Sequence, residues 1–165
     1  MKYAVIGLGE VGFVYASALG RQGIRVMGYD PAPVQTPIGV ERADDVKTAV
    51  AEADVVLVLT SAAAATIVAA NCAAALKPGT CYADFTSASP EVKLEVAAQV
   101  GPAVEVADVA ILGSIVTCGE RTPLMAAGPG APMLAEIMKG LGATVSVVDG
   151  PVGTAMAHKY CAVSS

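Results

Sequence analysis

Short apolar runs alternate along this chain with longer amphipathic stretches, and the alternation predicts strands and helices in turn. Tyr3, Ala4, Val5 and Ile6 form the first strand. Residues 11–21 form a helix, with Val11, Val14, Tyr15 and Ala18 at the i, i+3, i+4, i+7 spacing of one helical face. Gly23 ends that helix, and a second strand over 24–29 closes on Asp30. Pro31, Pro33 and Pro37 hold the next stretch as a loop, because proline has no amide donor and restricts its neighbour. A short strand at 38–40 and a helix over 44–52, capped by Asp44 or Asp45, follow. Residues 55–59 are uninterruptedly apolar, as in a strand buried on both faces.

The second half repeats the rhythm. A helix is expected over 62–76 and is stopped by Pro78 and Gly79; a strand follows at 80–83. Ser89 caps a helix that starts at Pro90 and runs to about residue 100. A strand at 104–106, a loop over 108–122 and a strand at 124–127 come next. In the helix over 132–141, Met133, Leu134, Ile137, Met138 and Leu141 face inward, and Glu136 and Lys139 face water. The last strand covers 144–148. This order predicts an α/β fold, a Rossmann-type doubly wound and mostly parallel sheet with helices on both faces. Residues 1–150 make one domain, and 151–165 begin a further helix.

Composition narrows the class. Of 165 residues, 55% are hydrophobic and 15% charged, which excludes a disordered chain. The apolar stretch 53–75 is broken by Asp54, Thr60, Ser61, Thr66 and Asn71, so no membrane span is expected. The chain enters its first strand without a charged leader, which points to the cytoplasm. A net charge of −5 argues against a nucleic-acid partner. Cys72, Cys81, Cys118 and Cys161 are scattered without a C-x-x-C pair, so neither a metal site nor a disulfide framework is expected; they read as buried thiols.

In such sheets ligands bind beyond the carboxyl ends of the strands. Gly7, Leu8, Gly9, Glu10, Val11 and Gly12 stand there, between the first strand and the first helix, as a G-x-G-x-x-G turn. Gly7 allows the tight turn, Gly9 a close approach to a pyrophosphate, and Gly12 close packing of helix on strand. Asp30 is placed to accept hydrogen bonds from the adenosine ribose and to repel a 2′-phosphate, which favours NAD over NADP. The nearest downstream arginine is Arg42, beyond the proline loop. Thr60 and Ser61 follow the strand at 55–59 and serve either the second ribose or a helix cap. Thr86 and Ser87 reach the cleft or merely precede the Ser89 cap. Lys159 is a surface lysine or a catalytic one, and His158, about 100° around the helix from it, does not share its site.

Taken together, four blocks resemble the N-terminal part of the β-hydroxyacid dehydrogenases, the group of 3-hydroxyisobutyrate and 6-phosphogluconate dehydrogenases. They are the glycine turn with Asp30; Asp84 to Pro90, similar to D-x-S-T-x-x-P; Asp108 to Ser114, similar to D-x-P-V-S-G-G; and Gly150, Pro151, Val152, Gly153 with Lys159. The resemblance implies hydride transfer between a small 3-hydroxy acid and NAD. It implies Lys159 as general acid/base and a substrate site at Leu112, Gly113 and Ser114. A homo-oligomer is also expected, because the last segment leaves an apolar face uncovered where the family's helical domain would pack.

The chain departs from that pattern in three places. Leu112 replaces the family serine, and Ala162 and Val163 stand where asparagines follow the lysine. The family's all-helical C-terminal domain is expected to begin near Ser165, where this sequence stops. These departures keep a second class open, a nucleotide-binding module without turnover. Imine reduction, performed by related dehydrogenases that usually replace the lysine, is disfavoured by Lys159.

Overall fold

Alternation within the strands decides which helix covers which face. A computed structural model describes residues 1–163. In β1 (Lys2–Ile6), Tyr3 and Val5 face one side of the sheet and Ala4 and Ile6 the other. In β4 (Val55–Val58), Val55 and Leu57 join the first face, and Val56 and Val58 the second. All four β4 residues are buried, as the unbroken apolar run predicts. Burying one such side chain contributes about 1.5–3 kcal/mol.

The first face is covered by α1 (Glu10–Arg21) and α6 (Ala131–Gly140), through Tyr15, Leu19, Leu134 and Met138. The second is covered by α2 (Val46–Val50), α3 (Ala65–Ala73) and α4 (Pro90–Val100), through Val50, Ala69, Cys72 and Val96. The remaining strands are β2 (Arg25–Tyr29), β3 (Val40–Arg42), β5 (Cys81–Asp84), β6 (Glu105–Ile111), β7 (Leu124–Ala127) and β8 (Val145–Val147). Their order is β3-β2-β1-β4-β5-β6-β7-β8, parallel except between β6 and β7. The chain therefore reverses direction across the sheet between β1 and β4, the crevice where ligands bind in doubly wound folds.

Several local expectations change. β3 lies at 40–42, not 38–40, because Gly39 turns with φ 86° and Ile38 is left 96% exposed. The helix expected over 62–76 opens as a 3₁₀ turn (Ala62–Ala64) before α3. α2 starts at Val46 because Asp45, the second of the two expected caps, accepts from the Thr48 N–H at 2.7 Å, and it ends at Val50, two residues earlier than expected. Residues 108–122 are not one loop. β6 continues through Asp108 to Ile111 in antiparallel register with β7, and α5 (Ile115–Cys118) and a 3₁₀ turn follow. Met133 is exposed rather than inward. Cys72 and Cys81 are buried, whereas Cys118 and Cys161 are exposed.

α7 (Thr154–Val163) packs on β6 and β7 through Ala155 and Met156, which meet Ala110 and Ala127. Among the described residues no helix is long and apolar enough to cross a membrane.

Candidate functional site

The glycine turn is shaped by contacts that admit no side chain. Gly7 has φ 96°, and a Cβ there would lie 2.7 Å from the Leu59 carbonyl oxygen. A Cβ on Gly12 would stand 1.7 Å from the Gly7 carbonyl oxygen, so only glycine lets α1 start this close to β1. Gly9 differs, since a Cβ there would meet nothing within 4 Å. It caps α1 without any side-chain hydrogen bond. The space above Gly9 lies at the start of α1, where helix amides without intrahelical partners can receive an anion.

Asp30 sits half-buried at the end of β2. Its Oδ2 accepts from the Leu8 N–H at 2.8 Å and its Oδ1 from the Ala32 N–H at 2.9 Å. The carboxylate thus ties the glycine turn to the following loop and retains lone pairs for a ligand hydroxyl. Arg42, far from Asp30 in sequence, is brought to it. The guanidinium donates to the carbonyls of Asp30, Ala32 and Val34 at 2.7–2.9 Å and to Thr36 Oγ1 at 3.2 Å.

A cleft of about 520 Å³ runs along this edge, lined by Gly7, Gly9, Tyr29, Asp30, Thr60 and Ser61. A smaller one, about 180 Å³, shares Thr60 and Ser61 and adds Val11, Phe85, Ser87 and Ile111. The two clefts adjoin at Leu59, Thr60 and Ser61, and we treat them as one groove over the crevice between β1 and β4. Of the pair Thr86 and Ser87, only Ser87 lines it. The Thr86 hydroxyl is turned inward and donates to Asp84 Oδ1 at 2.6 Å. Glu10 is exposed, and Leu8 is buried beneath the turn.

The segment from Leu112 to Ser114 is exposed. The Leu112 N–H donates to the Pro123 carbonyl at 2.9 Å, and Ser114 caps α5 through the Thr117 N–H at 3.3 Å. The Gly113 and Ser114 amides remain the candidates for a substrate carboxylate. Lys159 lies half-buried on α7, and His158 is exposed. The neighbouring Tyr160 donates its hydroxyl to the Ser87 carbonyl at 3.0 Å, so α7 is joined to the smaller cleft. Sequence reasoning singled out neither Tyr160 nor the strapping role of Arg42. The charged character of Arg42 was the only signal for the latter. Among the described residues no group of three His, Cys, Asp or Glu side chains could hold a metal ion.

Comparison with known proteins agrees with this geometry. Residues 2–150 match the family model described as the NAD binding domain of 6-phosphogluconate dehydrogenase. A conserved hypothetical protein from Sinorhizobium meliloti 1021 superposes with a TM-score of 0.88 at 30% identity, over 98% of this chain and 58% of that one. Mycobacterium tuberculosis 3-hydroxyisobutyrate dehydrogenase, solved with L-serine, gives 0.84 at 25% identity, over 98% and 58%. An imine reductase from Myxococcus stipitatus, in complex with NADP⁺, gives 0.83 at 22% identity, over 99% and 60%, and likeness at that level shows the fold alone. A V8 variant of that reductase is solved with NAD⁺ and gives 0.80 at 23% identity, over 99% and 59%. The chain thus spans about three fifths of these solved chains. Among curated proteins none matches it.

Proposed function

Since the chain belongs to the family defined by the NAD-binding domain of 6-phosphogluconate dehydrogenase, we propose that it binds NAD and serves hydride transfer to and from a small 3-hydroxy acid. The observation that carries the reading is the groove over the β1–β4 crevice, with an open Gly9 at its floor and the Asp30 carboxylate at its rim. The residues fit the cofactor. Gly9 and the first amides of α1 hold the pyrophosphate, Asp30 accepts from a ribose hydroxyl, and Thr60, Ser61 and Ser87 border the nicotinamide end. When bound, the nicotinamide ring supplies the hydride acceptor.

Lys159 is proposed as the acid/base. As the carbinol hydrogen leaves as hydride, Nζ takes the hydroxyl proton and a carbonyl remains; in reverse, Nζ returns the proton to the forming alkoxide. The Gly113 and Ser114 amides hold the substrate carboxylate. NAD is favoured over NADP because the Asp30 carboxylate stands where a 2′-phosphate would bring like charge, and because every Arg42 contact is to the loop beneath. The competing reading, a binding module without turnover, draws support from Leu112. Its side chain is exposed where the family serine would be polar, and its amide is already engaged.

Calorimetric titration with NADH and NADPH, followed by an oxidation assay over 3-hydroxy acids, tests both readings. NADH binding with turnover that is lost in Lys159→Ala supports the enzyme. NADH binding without turnover by the intact chain supports the module. Asp30→Ala should weaken NADH far more than NADPH; an equal loss of both would remove Asp30 from the ribose.

A further inference from the structure

Three charged side chains are buried together next to this site, and cofactor binding uses none of them. Lys93 of α4 and Asp108 of β6 are 0% exposed, and Asp84 of β5 is 1% exposed. Asp84 and Asp108 are register partners on adjacent strands. Lys93 Nζ donates to the Asp84 carbonyl at 2.7 Å and lies 3.3 Å from Asp84 Oδ1 and 3.2 Å from Asp108 Oδ1. Two carboxylates against one ammonium leave Asp84 Oδ2 and Asp108 Oδ1 without a hydrogen-bond partner, so Asp108 meets Lys93 as an ion pair alone. Stability does not explain such a cluster, since apolar residues of equal volume commonly stabilise as much or more.

What the cluster does have is reach. Asp84 Oδ1 accepts from the N–H and hydroxyl of Thr86 at 2.8 and 2.6 Å, which shapes the turn that offers Ser87 to the cleft. Asp108 Oδ2 accepts from the N–H groups of Gly153 and Met156 at 3.0 and 3.1 Å, which grips the amino end of α7. Lys93 stands between the two. Further along α7, the Tyr160 hydroxyl meets the Ser87 carbonyl, so helix and turn are joined at two points.

We infer that Lys93 is a positioning residue: by bridging Asp84 and Asp108 it fixes the Thr86–Ser87 turn against the amino end of α7 and so sets the orientation of the helix that carries Lys159. The functional meaning of that orientation rests on the proposed role of Lys159; the mechanical coupling does not.

The test uses the full chain and Lys93→Met, which keeps an unbranched side chain one atom shorter and removes the charge. Amide exchange is read over residues 153–163 and over β1 as a reference. The ¹³C signal of reductively dimethylated Lys159, assigned through Lys159→Arg, is read with and without NADH. The expected result is α7 exchange about tenfold faster or more, unchanged exchange in β1, and a displaced Lys159 signal. Unchanged α7 exchange and an unmoved Lys159 signal would overturn the inference. If Lys93→Met does not fold, Asp108→Asn replaces it. That variant keeps an acceptor for Gly153 and Met156 but loses the charge, so the same direction of change is expected and no change overturns the inference. Failure of the unsubstituted chain to bind NADH would refute the proposed function and leave the exchange result to decide the coupling.

Discussion

The glycine turn and the buried charged cluster are built on opposite principles. Around Gly7, Gly9 and Gly12 the protein works by omission: side chains are absent, at Gly7 and Gly12 because a Cβ would strike backbone and at Gly9 leaving open space. Around Asp84, Lys93 and Asp108 it works by insertion, with three charges placed where solvent does not reach. The first arrangement is written in a six-residue stretch, Gly7 to Gly12, set against the ends of β2 and β4. The second needs β5, β6, α4 and α7 to have assembled, since Asp108 bonds to Gly153 and Met156 across more than 40 residues. A cofactor cradle of the first kind is tolerant of what happens elsewhere. A helix held in the second way depends on the whole far half of the sheet.

Four measurements would break or sharpen that contrast. The largest effect is expected from Gly12→Ala, whose new Cβ would meet the Gly7 carbonyl oxygen at 1.7 Å. A destabilisation of about 4 kcal/mol or more is expected in urea unfolding, since neither backbone can yield cheaply. Next, Asp108→Ala removes one partner of the buried cluster and should cost about 3–5 kcal/mol. A cost below about 1 kcal/mol would mean that the cluster is not held by charge at all.

The third concerns alkaline pH. Burial pushes the Cys72 and Cys81 thiols from 9.0 up to about 12, Cys81 with a further push from Glu105. Burial likewise raises Tyr15 and Tyr82. A folded-state value above the unfolded one means that the native state holds its proton more tightly. Stability is therefore intact below pH 9 and falls as pH rises from 9 towards 12, by about 1.4 kcal/mol per pH unit for each thiol. Urea midpoints across that range check it, and Cys72→Ala should flatten the slope. The smallest effect on stability belongs to Gly9→Ala, which is expected within about 0.5 kcal/mol of the parent. Its NADH affinity should nevertheless fall at least tenfold, because the methyl would occupy the cradle. Unaltered affinity would remove the pyrophosphate from Gly9.

The same contrast governs what the amino-acid sequence discloses. The glycine turn, Asp30 and the buried strand β4 are legible because their signals are local: a spacing, a strand end, an unbroken apolar run. Ser89 as a cap is legible for the same reason and accepts from the Val92 N–H at 3.3 Å. The continuation of β6 is not legible. Asp108 looks like a strand breaker until Lys93 is known to lie beside it. Lys93 itself sits among Glu91, Leu94 and Glu95 and looks like one more solvated helix charge. Nothing in one dimension reveals that it points inward. Nor does anything mark Tyr160 as the residue that reaches Ser87, because the two are separated by 73 positions.

Arg42 adds a last consequence, one of timing. The loop it straps carries three prolines and receives four hydrogen bonds from a single guanidinium. Its conformational entropy is therefore lost when the chain folds, not when a ligand arrives, and association begins from a rim that is already set. The same economy makes the rim hard to re-purpose. To meet a phosphate at this edge, Arg42 would have to release the carbonyls that give the loop its shape, so recruiting its charge for a ligand means rebuilding the loop and not merely exchanging one side chain.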